Sequence, residues 1–447
     1  MSTLPDLRRP LLVDGDLEPE LARRGIPARP TPGAAPPPIR EPEAVRRLLL
    51  EIGTAGADVL TAPTTRTHRR ALSRLGEARR AREWTIAAVS LAREAAQMAA
   101  DALDERAENA PAGGVGVARD GPPRVAGVLA PLEGPDAPEA APDEATALAE
   151  HRTQAGLLAD AGVDLIRIDG METVRESHAA TVAARELGLE VWSGAALDGS
   201  GTRLPSGEPL GAWLEAILPL EPTALVVEAP TDRAVDRALA DLRGSGVSRL
   251  GVSLAVDLSP DALGATLGRW LDAGACLVGC GRDAGPARVA AFRAALDRWS
   301  EERLRTADAV RATWAGWLDQ GARHAGAGEA VALLGEGAGS PPGAALPAGS
   351  RLAWRTVPAG DLAQLSAGRF GLGVAGADGL GRDDLGRLVS ALAPGGWLLL
   401  AGTAIDPGMP EPTWVRWLIA DGRIELLQPL DPAPETGLCA WLGRRRP

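Results

Sequence analysis

The stretch Gln154–Trp192, QAGLLADAGVDLIRIDGMETVRESHAATVAARELGLEVW, decides the fold. It reads as the end of one helix, the apolar strand Leu165–Ile168, a second helix over Thr173–Leu187 and a second strand from Glu190. Strands that alternate with helices imply a parallel sheet, because two parallel neighbours need a crossover between them.

The same unit recurs on both sides. Candidate strands are Leu11–Val13, Ala57–Thr61, Val125–Leu129, Leu165–Ile168, Glu190–Ser193, Ala224–Val227, Leu250–Leu254 and Ala275–Gly279. The spacing predicts helices over 42–54, 76–106, 143–161, 173–187, 210–218, 232–243, 260–273 and 286–304, several of them opened by Pro or Asp. Eight such units in about 300 residues match a (β/α)8 TIM barrel. The reading is therefore α/β, with a barrel over residues 1–304. After Leu304 the pattern restarts as a smaller Rossmann-like α/β domain over residues 305–447.

Composition narrows the chemistry. The 447 residues carry a net charge of −12, which argues against nucleic acid and anionic membrane as partners, since both need clustered cationic surface. All 47 basic residues are arginine, so neither a Schiff-base lysine nor a Walker-type phosphate lysine is available. Three cysteines, Cys276, Cys280 and Cys439, make no disulfide framework. With no signal-like or membrane-length apolar run, the expectation is a cytoplasmic protein without a membrane partner.

In a barrel of this kind chemistry sits at the carboxyl ends of the strands. Those ends carry Asp14, Thr61, Asp169, Glu228, Asp257 and, after the last strand, Cys280, Arg282 and Asp283. No histidine falls in that set, which speaks against Ser–His or Cys–His nucleophilic catalysis. Acids at strand-to-helix turns also serve as helix caps, so Asp14 and Asp169 carry that second reading.

Several of these motifs resemble one family, the homocysteine-binding methyltransferases. LLVDGDLEPELARRG (11–25) is similar to that family's opening LLDGGMGTELERRG, and AGADVLTAPTTRTHRRAL (55–72) to its second strand. VAGVLAPLEG (125–134) resembles VAGSLGP, and DGSGTRLPSGEPL (198–210) follows at the expected place. WLDAGACLVGCGRDAGPARVAAF (270–292) resembles the closing segment, and Gln154–Trp192 is the strongest match.

The resemblance implies methyl transfer to a thiol such as homocysteine, with one zinc held by three cysteine thiolates. It also implies that Asp14 and Asp169 hold the amino group of an amino acid, with Thr61 and Glu228 in the same substrate site. The cysteine positions of the family fall here on Glu228, Gly281 and Arg282, with Cys280 one residue earlier. One thiolate, a carboxylate and an arginine do not make a soft zinc site, so no metal is expected there. Cys276 and Cys280 then read as small apolar strand residues.

Two alternatives to a thiol methyltransferase stay open. One is an amino-acid- or thioether-binding regulatory pseudoenzyme, with a protein partner as a further option. The other is a hard-metal enzyme using Asp14, Asp169, Glu228 and Asp257, whose oxygens suit Mg²⁺ or Mn²⁺.

In the second domain, AVALLGEGAGS (330–340) has the form of a strand followed by a glycine turn, with Gly335, Gly337 and Gly339 as cofactor-binding candidates. GRFGLGVAGADGLGRDDLGRLVSALAPGGWLLLAG (368–402) resembles the later half of S-adenosylmethionine-dependent methyltransferases. That resemblance makes S-adenosylmethionine the candidate cofactor. The acids of those enzymes are replaced here by Leu333 and Gly371, which reads as a degenerate domain.

Overall fold

The eight short apolar runs become strands β1 (Leu11–Val13), β2 (Val59–Thr61), β3 (Arg124–Leu129), β4 (Leu165–Ile168), β5 (Glu190–Ala196), β6 (Ala224–Ala229), β7 (Leu250–Leu254) and β8 (Ala275–Gly279). In this computed structural model they close in sequence order into a parallel barrel, β1 pairing with β8. The structure describes residues 10–26, 36–108, 121–134, 138–254, 260–281, 285–325, 328–334, 352–358, 365, 369–376, 382–403, 418, 423–430 and 438–446. Among them, no helix is long and apolar enough to cross a membrane.

Alternation along each strand sorts the side chains into two layers. Val13, Val59, Ala126, Leu165, Trp192, Ala224 and Leu277 form one buried cluster inside the barrel. Their sequence neighbours Leu12, Leu60, Ile166, Val191, Leu225 and Val278 belong to the larger cluster shared with the surrounding helices. Trp192 is the one aromatic residue of that cluster. Its indole nitrogen is satisfied by Glu190 at 2.8 Å.

Helix entry is set by local chemistry. Thr173 accepts from the Glu176 amide, Asp143 from that of Thr146 and Thr231 from that of Ala234, each at the start of a helix. Gly162 ends the helix Glu144–Ala161 with φ 84°, a left-handed conformation that glycine adopts without strain. Below the barrel, Asp58 receives the Leu12 amide at 2.8 Å and Arg293 at 3.1 Å, tying β1 and the last barrel helix together.

The helix after β8 runs unbroken from Pro286 to Ala325. The sequence reading ended it at Leu304 and began another. No proline or glycine lies between Arg288 and Ala315, so nothing local stops it. The chain divides into two compact units, with the division at Ser300 and Glu301.

The second unit holds a six-stranded sheet. Its strands are β9 (Gly328–Leu334), β10 (Leu352–Pro358), β11 (Phe370–Gly376), β12 (Leu392–Thr403), β13 (Ile424–Pro429) and β14 (Leu438–Arg445). The order is β10-β9-β11-β12-β14-β13, with β14 antiparallel to both of its neighbours. The chain therefore moves out from β9 to β10 and then to the other side of β9 at β11. That reversal is the topological switch point of a doubly wound sheet. Strand β13 was not anticipated from sequence.

Candidate functional site

The register of three strands builds the site. Val13 pairs with Gly279 on one side and with Val59 on the other, so the ends of β1 and β8 lie level while β2 runs two residues further, to Thr61. Backbone bonds continue past the strands: Asp14 N to Val59 O at 3.2 Å, Cys280 N to Val13 O at 3.1 Å and Asp16 N to Gly281 O at 3.0 Å. The approach is so close that a β-carbon on Gly15 would lie 2.0 Å from the Gly281 carbonyl oxygen.

Asp14 is buried at this junction with its side chain fully covered. The Thr61 amide donates to Oδ2 at 2.7 Å, and the Thr61 hydroxyl donates to Oδ1. That hydroxyl in turn accepts from Nη1 of Arg167 at 2.8 Å, and Nη2 of Arg167 donates to Asp169 Oδ2 at 2.8 Å. The result is one polar chain across the mouth, from Asp14 through Thr61 and Arg167 to Asp169. Burial raises the Asp14 carboxyl to about 6; the Thr61 bonds and the Arg167 charge, 4.0 Å from Oδ1, pull the other way. Burial also raises the carboxyl of Asp16.

Three of the four substrate residues expected from sequence, Asp14, Thr61 and Asp169, therefore meet. Glu228 lies one residue before the end of β6, where it is half-buried and its backbone carbonyl accepts from the Leu197 amide at 2.8 Å. Arg167 was missed. Its signal was present, because it is the lone charge in the buried run LIRI and lies two residues beyond the interior Leu165, on the same face.

Around the mouth a second set of buried groups supports the loops. Glu176 accepts from the Leu132 amide at 2.8 Å and lies 3.4 Å from Nε2 of His151. His68 opens the helix Arg69–Ser73, and burial lowers its imidazole to about 4, with His151 next in effect.

The zinc implied by the family resemblance was tested against the donors that are present. Cys280 is fully buried, and it belongs with Val278 to the layer between barrel and helices. Burial, with the Asp14 charge behind it, pushes its thiol well above the usual range. Gly281 offers no side chain, and Glu228 offers oxygen. Among the described residues no group of three or more His, Cys, Asp or Glu is placed to hold a metal ion. These donors do not fit a zinc–thiolate centre. Arg282, Asp283 and Asp257 lie outside the described residues, as do Gly335, Gly337 and Gly339.

The homocysteine S-methyltransferase family model matches residues 11–296, and the chain belongs to that family. Among solved structures it is similar to the metallated form of the homocysteine methyltransferase MmuM from Escherichia coli. That match has 24% identity and a TM-score of 0.53, and covers 64% of this chain and 96% of the other. The oxidized form of the same enzyme gives the same identity, coverage and TM-score. At that identity the likeness shows the fold. No curated protein matches the chain.

Proposed function

We propose that the barrel binds a small organic sulfur compound, a thiol or its methyl thioether, and does so without a zinc–thiolate centre. The observation that carries this is the polar chain Asp14–Thr61–Arg167–Asp169 at the mouth of a barrel of the homocysteine S-methyltransferase family. In the zinc enzymes of the fold's chemistry, the metal lowers the thiol's pKa and delivers a thiolate. Here hydrogen bonds and one internal ion pair organise the ligand instead, and the chain acts as a binding member of its family.

The test is calorimetric titration of the full chain with small thiols in chelator-containing buffer, together with a methyl-transfer assay. Saturable binding that survives the chelator, without turnover, is the expected result. Binding that disappears with the chelator and returns with zinc would overturn it.

A second reading is favoured by the strand order β10-β9-β11-β12. Its switch point falls at the carboxyl end of β9, where ligands of doubly wound sheets bind. On this reading the second unit holds S-adenosylmethionine. Saturable binding of S-adenosylmethionine by the full chain is what it predicts.

A further inference from the structure

Arg167 is an unusual residue to find inside a barrel strand. It is buried, with its side chain only 11% exposed. A guanidinium has five N–H donors, and among the described residues Arg167 spends two of them, on Thr61 and Asp169. It stands between the two carboxylates of the mouth, 4.0 Å from Asp14 and 2.8 Å from Asp169.

That position decides what else can enter. Both oxygens of Asp14 are taken by Thr61, and its side chain is closed to solvent. Asp169 is the exposed acid of the pair, at 33%, but its Oδ2 is held by the guanidinium. The guanidinium already occupies the space between the two carboxylates, so an ammonium group cannot bridge them and reaches only the outer side of Asp169, beside a fixed positive charge. A carboxylate or an uncharged polar group meets the unused N–H donors of Arg167 instead.

We infer that Arg167 is a specificity-determining residue: its guanidinium takes the place of a ligand's ammonium between Asp14 and Asp169. The mouth accordingly takes a thiol or thioether acid that carries no amino group. This rests on the proposal that the mouth binds an organic sulfur compound, and it names the class of compound.

The test compares homocysteine with 4-mercaptobutanoate, which differs from it only by lacking the ammonium group. Both are titrated calorimetrically into the full chain under reducing conditions. The expected result is that 4-mercaptobutanoate binds more tightly, by about tenfold or more. In Arg167→Met, which keeps an unbranched apolar stem and removes the charge, the ratio should shift toward homocysteine by a similar factor. Arg167→Gln serves the same purpose if the Met variant does not fold, and the wild-type ratio stands by itself.

Homocysteine binding as tightly as 4-mercaptobutanoate, or more tightly, overturns the inference while leaving the sulfur-ligand reading intact. A ratio that the variants leave unchanged also overturns it. If neither thiol binds, the sulfur-ligand reading fails, and the inference fails with it.

Discussion

The carboxyl of Asp14 gives the site a measurable pH signature. Its ordinary value of 3.8 rises to about 6 because burial disfavours the charged form more than Thr61 and Arg167 favour it. A carboxyl raised on folding contributes stability that is fully present below its unfolded value and is lost as pH rises through its folded value. For Asp14 the loss falls between about pH 4 and about pH 6. A shift of about two units corresponds to about 3 kcal/mol at full extent, of which about 2 kcal/mol lies between about pH 4 and about pH 7. Asp14→Asn cannot ionise, so it isolates this contribution from the other carboxylates. It also disturbs the two bonds from Thr61, which sets a pH-independent offset of about 1–3 kcal/mol. Urea unfolding of wild type and variant, followed by tryptophan fluorescence, should show the variant gaining about 2 kcal/mol relative to wild type as pH rises from about 4 to about 7. A difference that does not change with pH would refute the account of Asp14 as a buried carboxyl with a raised pKa.

Three further outcomes follow from the packing around the mouth and the base of the barrel. Gly15→Ala drives a methyl group into the Gly281 carbonyl, so thermal unfolding should show a loss of about 1–3 kcal/mol or more, and an unchanged melting temperature would contradict the close approach of β1 and β8. Cys280, buried and with its thiol raised, should resist alkylation in the native chain and react only on unfolding, as read by peptide mass spectrometry; rapid labelling would place it at the surface. Arg293→Met removes the buried ion pair between Arg293 and Asp58, and denaturant unfolding should report a loss of about 3–5 kcal/mol.

Much of this was legible in the sequence, for identifiable reasons. The barrel strands are short, mostly apolar and separated by helical segments, so the closed parallel sheet follows from their count and order. Leu165–Ile168 was read to the residue. Asp14, Thr61 and Asp169 were found because strand ends at one face of a barrel must converge. The 40-residue helix from Pro286 was cut short because the reading ended it where the barrel unit was complete, against a sequence with no breaker there. Strand β13 was missed because IELLQP does not alternate, and the sheet pairs it only through β14 from further along the chain.

The two decisive features of the mouth follow from alternation applied one step further. Leu277 faces the barrel interior, whereas Val278 and Cys280 fall in the layer between strands and helices. Cys280 therefore falls on the helix side of the strand's line. By the same rule Arg167 follows Leu165 inward. What alternation could not give is the pairing. That Arg167 bridges Thr61 and Asp169 depends on the barrel bringing β2 and β4 across β3.

The central claim is that hydrogen bonds and an internal arginine organise this mouth in place of a zinc–thiolate centre. Zinc content of the full chain, purified without chelator and measured before and after adding a thiol, tests it most directly. The account predicts no stoichiometric zinc in either state. One tightly held zinc per chain, with sulfur from Cys280 in its coordination by X-ray absorption, would contradict it.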